Sequence, residues 1–247
     1  ALRAPSWTLS ADAANLRPSA TGIQGGALAL KAAGDLEKAT VDRLTWSSPQ
    51  GSLEATGAWS LKGGSQLDLT AHNLDMEPLG RLLRVDVFQG VNASLKAQIQ
   101  GPGGTQPLRP EAWQGGLQAT FQRQGQPAGS LDLRMDRGAW NADRIHLDLA
   151  SIACEGQASA GLDARGLRAV EAKGHLQAPV DQVARSLSAW GVVDLDMAGR
   201  ATGDTQLTWS RGEGLSLQGA LQVDQPRWHG AQAEALQGKV EIRNDQL

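Results

Sequence analysis

Apolar and polar residues alternate one by one in many short segments of this chain. The segment Leu67-Asp-Leu-Thr-Ala puts Leu67 and Leu69 on one side of an extended strand and Asp68 and Thr70 on the other. The same alternation recurs at 131–135, 145–149, 193–197, 215–219 and 240–243. This pattern is typical of antiparallel sheets that have one dry face and one face in water.

Turn signals separate these segments at short intervals. Clusters of Gly, Pro and polar residues occur at 48–51, 62–65, 101–104, 125–127, 136–138, 163–166 and 211–214. Glycine supplies positive φ and proline presets the first angle of a turn, so such clusters favour hairpins. The sequence therefore predicts an all-β chain in which many strands form a long antiparallel meander.

Two segments break the alternation and predict short amphipathic helices. In the first, near 76–85, Leu79, Leu82 and Leu83 follow helical spacing and Asp75 is a suitable N-cap. The second, near 179–189, has its apolar residues on one face and begins after Pro179. Each predicted helix has about two to three turns.

The two predicted helices occupy matching places in an internal repeat. Each follows a strand and precedes a glycine and another strand, and the two glycines, Gly90 and Gly191, are 101 residues apart. We therefore expect a first repeat over 1–101, a Pro/Gly-rich loop at 102–110 and a second repeat over 111–247. Repeated supersecondary units predict an elongated stack.

Composition and charge narrow the functional classes. The net charge of −3 and the pI near 5.8 provide no basic surface for nucleic acid. No window reaches the ~18–20 apolar residues of a membrane-spanning helix. Both ends of the chain lack a recognisable signal or tail, which suggests a middle segment of a longer repetitive protein.

No motif in the sequence indicates catalysis, a metal site or a cofactor. The four histidines, His72, His146, His175 and His229, have no ligand spacing, and the many aspartates fit the wet face of strands. The glycines end strands and do not open helices, so they match no phosphate loop. We expect Cys154 to be a small buried apolar residue. The sequence thus favours a protein that is not an enzyme.

The apolar side of the strands has two interpretations. It is either an ordinary core, packed against another layer, or a partly open groove for an apolar ligand. The aliphatic character of these positions and the scarcity of Phe and Tyr favour the groove. The candidate ligand-facing residues are Leu67, Leu69, Leu131, Leu133, Ile145, Leu147, Leu149, Val193, Leu195, Leu215, Leu217, Val240 and Ile242.

The strand–helix–glycine–strand units at 67–101 and 170–199 resemble the repeats of the TamB and AsmA-like family of Gram-negative bacteria. The segments 138–150 and 214–223 are similar to the strand pairs of that family. The resemblance covers nearly the whole chain, through a diffuse pattern with no short diagnostic motif.

The resemblance implies a curled, elongated antiparallel sheet, groove-like or taco-like, that carries lipids between two membranes. We accordingly expect a periplasmic segment, anchored in the inner membrane by a part absent from this chain, whose groove shields phospholipid acyl chains. A TamA-like outer-membrane barrel would be a partner through regions outside this chain. Two alternatives remain: a scaffold or chaperone-like module for the translocation and assembly of outer-membrane or autotransporter proteins, which pairs with client strands, and a solenoid with a filled interior.

Overall fold

In the described part of the chain, fifteen strands form one antiparallel β-sheet, which is curled and not closed. The structure is a computed structural model that describes residues 5–16, 26–83, 88–104, 109–149, 152–189, 197–228 and 231–244. The all-β fold class expected from the alternation is confirmed.

The strands are β1 Trp7–Leu16, β2 Gly26–Gly34, β3 Lys38–Ser48, β4 Gly51–Ser60, β5 Gly64–Asp75, β6 Val91–Pro102, β7 Gln114–Arg123, β8 Gln126–Asp136, β9 Ala139–Leu149, β10 Ile152–Asp163, β11 Gly166–Pro179, β12 Ala198–Ser210, β13 Gly214–Trp228, β14 Ala231–Gln232 and β15 Ala235–Asn244. Helix α1 covers Glu77–Leu83, helix α2 covers Val180–Ala189, and a 3-10 turn covers Pro110–Ala112.

The strands follow one another through the sheet in the order of the sequence. Each strand from β1 to β13 pairs antiparallel with the next, and β14 and β15 pair in succession with the same side of β13. Every pairing is therefore local in the sequence, as a meander requires. In the described part of the chain, β1 lies at one edge of the sheet, and β14 and β15 lie at the other.

Both helices lie at the same end of the strands. Helix α1 follows β5 and α2 follows β11, and odd-numbered strands up to β13 all run toward this end. The Asp75 carboxylate accepts a 2.9 Å hydrogen bond from the Glu77 N–H, so it caps α1 in the expected way. We call this end of the sheet the helix end.

The predicted loop at 102–110 lies at the opposite end of the sheet. Strands β6 and β7, on either side of it, pair without interruption from Val91 with Arg123 to Gln100 with Gln114. The sheet is therefore continuous between the two predicted repeats, whose division remains a prediction. Residues 105–108 lie outside the described part of the chain.

The molecule exposes far more surface than a compact protein of its mass. Its accessible surface is 15735 Å², whereas a compact 26.0 kDa chain exposes roughly 10,500 Å². A single curled sheet has this property because it lacks a second sheet to cover its other face.

Candidate functional site: the apolar face of the sheet

Residues opposite each other in antiparallel strands point to the same face, so the strand register determines which side chains share a surface. Leu67 pairs with Ile99, and both lie on the face of Leu69. The same face continues through Leu117, opposite Leu133, and through Leu131, opposite Ile145. Aliphatic side chains from β5 to β9 thus form one continuous surface.

This surface continues through the second half of the sheet. Leu147 lies opposite Cys154, which lies opposite Leu176. The described candidate side chains that share the face are Leu67, Leu69, Leu131, Leu133, Ile145, Leu147, Leu149, Leu215, Leu217 and Val240. Ile242 pairs with Leu217 in the backbone register, while Val193 and Leu195 lie outside the described residues.

The opposite face of the sheet is polar, and histidine and carboxylate side chains of neighbouring strands lie close together on it. His146 Nδ1 lies 2.9 Å from Glu155 Oε1, and His175 Nδ1 lies 3.1 Å from Asp204 Oδ1. Among the described residues, no three His, Cys, Asp or Glu side chains are arranged to hold a metal ion. The two faces therefore differ in chemistry along the whole sheet.

The burial of side chains shows that the apolar face is not a conventional packed core. Among the described residues, the largest side chain that is fully buried is Val91, whereas a protein of this size usually buries leucines and aromatic rings completely. Leu67 is 38% exposed although β5 has paired strands on both sides. The apolar face is thus sheltered and partly open to solvent.

Glycines on the apolar face indicate the direction in which the sheet curls. Gly156 and Gly174 are paired on this face, and a Cβ at either one would overlap a carbonyl oxygen of the neighbouring strand. At Gly116, on the polar face, the nearest atom to such a Cβ is 3.5 Å away. Neighbouring strands therefore approach each other most closely on the apolar side, as they do where a sheet bends toward that side. We call this apolar surface the trough.

Two small hydrophobic clusters lie at the helix end of the trough. Val91, Ala128 and Leu149 form the first, together with Met76 and Phe88 from the segments before and after α1 and with Phe121 and Leu147 from the sheet. The second contains Val180 of α2 with Ala201, Val223 and Met197. The first cluster contains residues that flank α1 and the second contains Val180 of α2, so apolar side chains beside both helices pack against the sheet at this end.

Tryptophans gather on the apolar face at the opposite end of the strands. They are Trp7 in β1, Trp59 in β4, Trp113 just before β7, Trp140 in β9 and Trp209 in β12. Trp113 and Trp140 stack with ring centroids 6.4 Å apart and planes 13° apart. We call this the tryptophan end; Trp46, at the helix end of β3, and Trp228, the last residue of β13, are exceptions.

Cys154 lies on the apolar face and is half-buried. Burial raises the pKa of its thiol, and the neighbouring Glu155 carboxylate raises it further. The thiol is thus a weak nucleophile at neutral pH.

Comparisons of the chain with known proteins were made at three levels. Models of protein families, curated proteins and solved structures give no match. The resemblance to the TamB and AsmA-like family therefore remains an expectation from the sequence.

The tryptophan end was not predicted from the sequence. Its signal lies in the position of each tryptophan within the alternation: Trp59 ends the apolar series of β4 and Trp209 ends that of β12, each just before a turn. Neighbouring strands run in opposite directions, so such positions can be assigned to the same end of a sheet only when the register is known.

Proposed function

We propose that this chain is a periplasmic segment of an intermembrane lipid-transport protein and that its trough shields phospholipid acyl chains. The observation that carries the proposal is the continuous aliphatic face, which no second sheet covers in the described part of the chain and on which Leu67 remains 38% exposed. Exposed apolar surface of this extent in a folded protein marks a binding surface. Anchoring in the inner membrane and contact with an outer-membrane barrel would belong to regions outside this chain.

The chemistry of the trough fits a ligand that moves along it. Burial of a methylene group contributes about 0.8 kcal/mol, so several methylenes hold an acyl chain in the trough. Aliphatic side chains form no directional bonds, so they bind the chain equally well in neighbouring positions. Leucines on every strand from β7 to β9 would give the acyl chain similar surroundings as it moves across the strands.

The proposal is tested by asking whether the purified protein carries phospholipid in native mass spectrometry. Two variants in β8 form a matched pair: Leu131→Asp puts a carboxylate on the apolar face, and Ser130→Asp puts one on the polar face, opposite His146. We expect Leu131→Asp to lose phospholipid and Ser130→Asp to retain it, with both variants keeping the β-sheet signal in circular dichroism. Wild-type protein that never carries phospholipid would refute the proposal.

A second function is favoured by the edges of the sheet. Strands β1 and β15 each pair on one side only in the described part of the chain, so a client strand could add to either edge through main-chain hydrogen bonds. Such a scaffold in the assembly of outer-membrane proteins would bind extended peptides, and Leu131→Asp would not affect this binding. Peptide binding by wild type and variant alike, without phospholipid, would therefore favour the scaffold.

A further inference from the structure

The two ends of the strands differ in how well the apolar face is covered. At the helix end, Val91 and Leu149 are almost completely buried in the cluster around α1, and Val180 and Val223 are buried around α2. At the tryptophan end, by contrast, large apolar side chains are exposed. They are Trp7 and Leu9 in edge strand β1, Leu36 and Leu61 in hairpin turns, Leu67 in β5 and Leu167 in β11, while Met135 and Leu215 are buried at this end. One further large apolar side chain, Leu236 of edge strand β15, is exposed at the helix end, opposite Val223.

Six of the seven large apolar side chains that are exposed in the described part of the chain lie toward the tryptophan end, so the trough is more accessible there than at the helix end. Leu36 is 70% exposed in the turn between β2 and β3, so apolar surface extends past the ends of the strands. An amphiphile that enters from this side does so with its apolar tail first. Its polar group then remains at the tryptophan end.

The tryptophans have the chemistry that such a boundary needs. Indole rings favour positions between apolar and polar surroundings because the ring is hydrophobic and its N–H donates a hydrogen bond. The Trp59 Nε1–H donates to the Gly104 carbonyl oxygen at 3.0 Å. The Trp140 Nε1–H is buried and has no acceptor among the described residues. A buried donor without a partner is costly, and an ester or phosphate oxygen of a ligand would satisfy it.

The dimensions of the trough also accommodate a lipid tail in this orientation. Ala160, opposite Trp140, and Ile152, at the helix end, are eight residues apart along β10. This separation corresponds to roughly 27 Å of extended strand. The acyl chains of one leaflet span roughly 15 Å, half of the hydrocarbon thickness of a bilayer. A phospholipid tail therefore fits between the tryptophans and the hydrophobic clusters.

We infer that the trough aligns phospholipids in one direction, with the glycerophosphate group at the tryptophan end, the acyl methyl groups near the helix end, and Trp140 as a hydrogen-bond donor to the ligand. This inference rests on the proposed function. It gives the bound lipid a fixed direction along the strands, which a uniformly aliphatic surface would not provide.

Photo-crosslinking of the full chain tests the orientation. Two phosphatidylethanolamines are compared, one with a diazirine next to the carbonyl of its acyl chain and one with a diazirine near the terminal methyl group, and crosslinked residues are mapped by mass spectrometry. We expect the first to label the surroundings of Trp140 and Trp209 and the second to label those of Cys154 and Leu176. Equal labelling patterns, or the reverse distribution, would overturn the inference while leaving lipid binding intact. Lack of crosslinks on the apolar face with both lipids would overturn the proposed function as well.

A pair of variants tests the role of the indole N–H. Trp140→Phe keeps an aromatic ring against Trp113 and removes the donor, whereas Trp46→Phe makes the same change at the helix end. We expect Trp140→Phe to weaken phospholipid retention about two- to tenfold, the effect of one hydrogen bond, and Trp46→Phe to leave it unchanged. Equal retention by both variants would remove Trp140 from the site.

Discussion

Leu147 of β9 and Cys154 of β10 lie directly opposite each other on the apolar face. Cys154 is the only cysteine in the sequence, so a thiol reagent reports on one position inside the trough. This natural probe sits toward the helix end, where Leu147 packs against the cluster around Val91.

Reaction of Cys154 with a maleimide is expected to be slow and to become slower when phospholipid is bound. Burial raises the pKa of the thiol, so less thiolate is present at a given pH and the rate–pH curve moves to higher pH. The control is Glu155→Cys in a Cys154→Ser background, which puts the thiol on the polar face. Stopped-flow labelling should show fast reaction of this control, unaffected by phospholipid. Equal protection of both thiols would contradict a ligand confined to the apolar face.

Truncation of Leu67 should cost less stability than truncation of Val91. Val91 is completely buried, so Val91→Ala removes two buried methylene equivalents and leaves a cavity, which costs about 2 kcal/mol in the free energy of unfolding. Leu67→Ala removes three methylene equivalents, but Leu67 is 38% exposed, so we expect a cost of about 1.5 kcal/mol or less. Urea denaturation measures both. A larger loss for Leu67→Ala would mean that this part of the trough is packed core.

The curl of the sheet should depend on glycine at specific positions. A Cβ at Gly174 would overlap the Glu155 carbonyl oxygen, so we expect Gly174→Ala to destabilise the fold by about 1–3 kcal/mol. Gly116→Ala serves as the control, because its new methyl group would be 3.5 Å from the nearest atom. Denaturation curves that give the same midpoint for both variants would show that the sheet accepts a Cβ at the bend.

An ion pair links two hairpins at the tryptophan end. Both Arg211 guanidinium nitrogens lie 3.1 Å from the Asp163 carboxylate, and the Arg165 N–H donates to it at 2.8 Å. The Arg211 side chain, followed by the Arg165 N–H, holds the pKa of this carboxyl below its ordinary value. Its stabilising effect is therefore present above the pKa of the unfolded chain and is lost as the pH falls through the lowered folded-state pKa.

We expect Arg211→Gln to return the pKa of Asp163 toward its ordinary value. Arg165→Gln keeps the main-chain N–H that donates to Asp163, so its effect should be smaller. A carboxyl NMR titration of the two variants measures both shifts. If the pKa of Asp163 were unchanged by Arg211→Gln, the contact between the hairpins would be absent in solution.

Much of the fold follows from the sequence because each strand carries its own signal. Alternation assigns Leu131 and Leu133 to one face and Asp132 to the other without knowledge of the partner strands. Helix α2, at Val180–Ala189, occupies the segment where helical spacing follows Pro179. These are local properties, and local properties are visible in one sequence.

Other features depend on how strands are paired. Trp113 precedes the β7–β8 hairpin and Trp140 follows it, and the two rings stack on each other. The local sequence around either tryptophan does not predict this contact. The approach of Gly156 to Gly174 likewise depends on register and on the bend between β10 and β11. For the same reason, the sequence predicted the aliphatic face but did not predict that tryptophans gather at one end of the strands and hydrophobic clusters at the other.

The consecutive order of the strands makes the length of the sheet proportional to the number of hairpins. Neighbouring strands are about 4.8 Å apart, so each added hairpin extends the sheet by about 10 Å and leaves its cross-section unchanged. Duplication or deletion of whole hairpins would therefore change the length of the sheet in steps of about 10 Å, so evolution could match this length to a given distance. Because each strand needs only the one before it, the sheet can also form progressively from its N-terminal strand while later strands are still being synthesised.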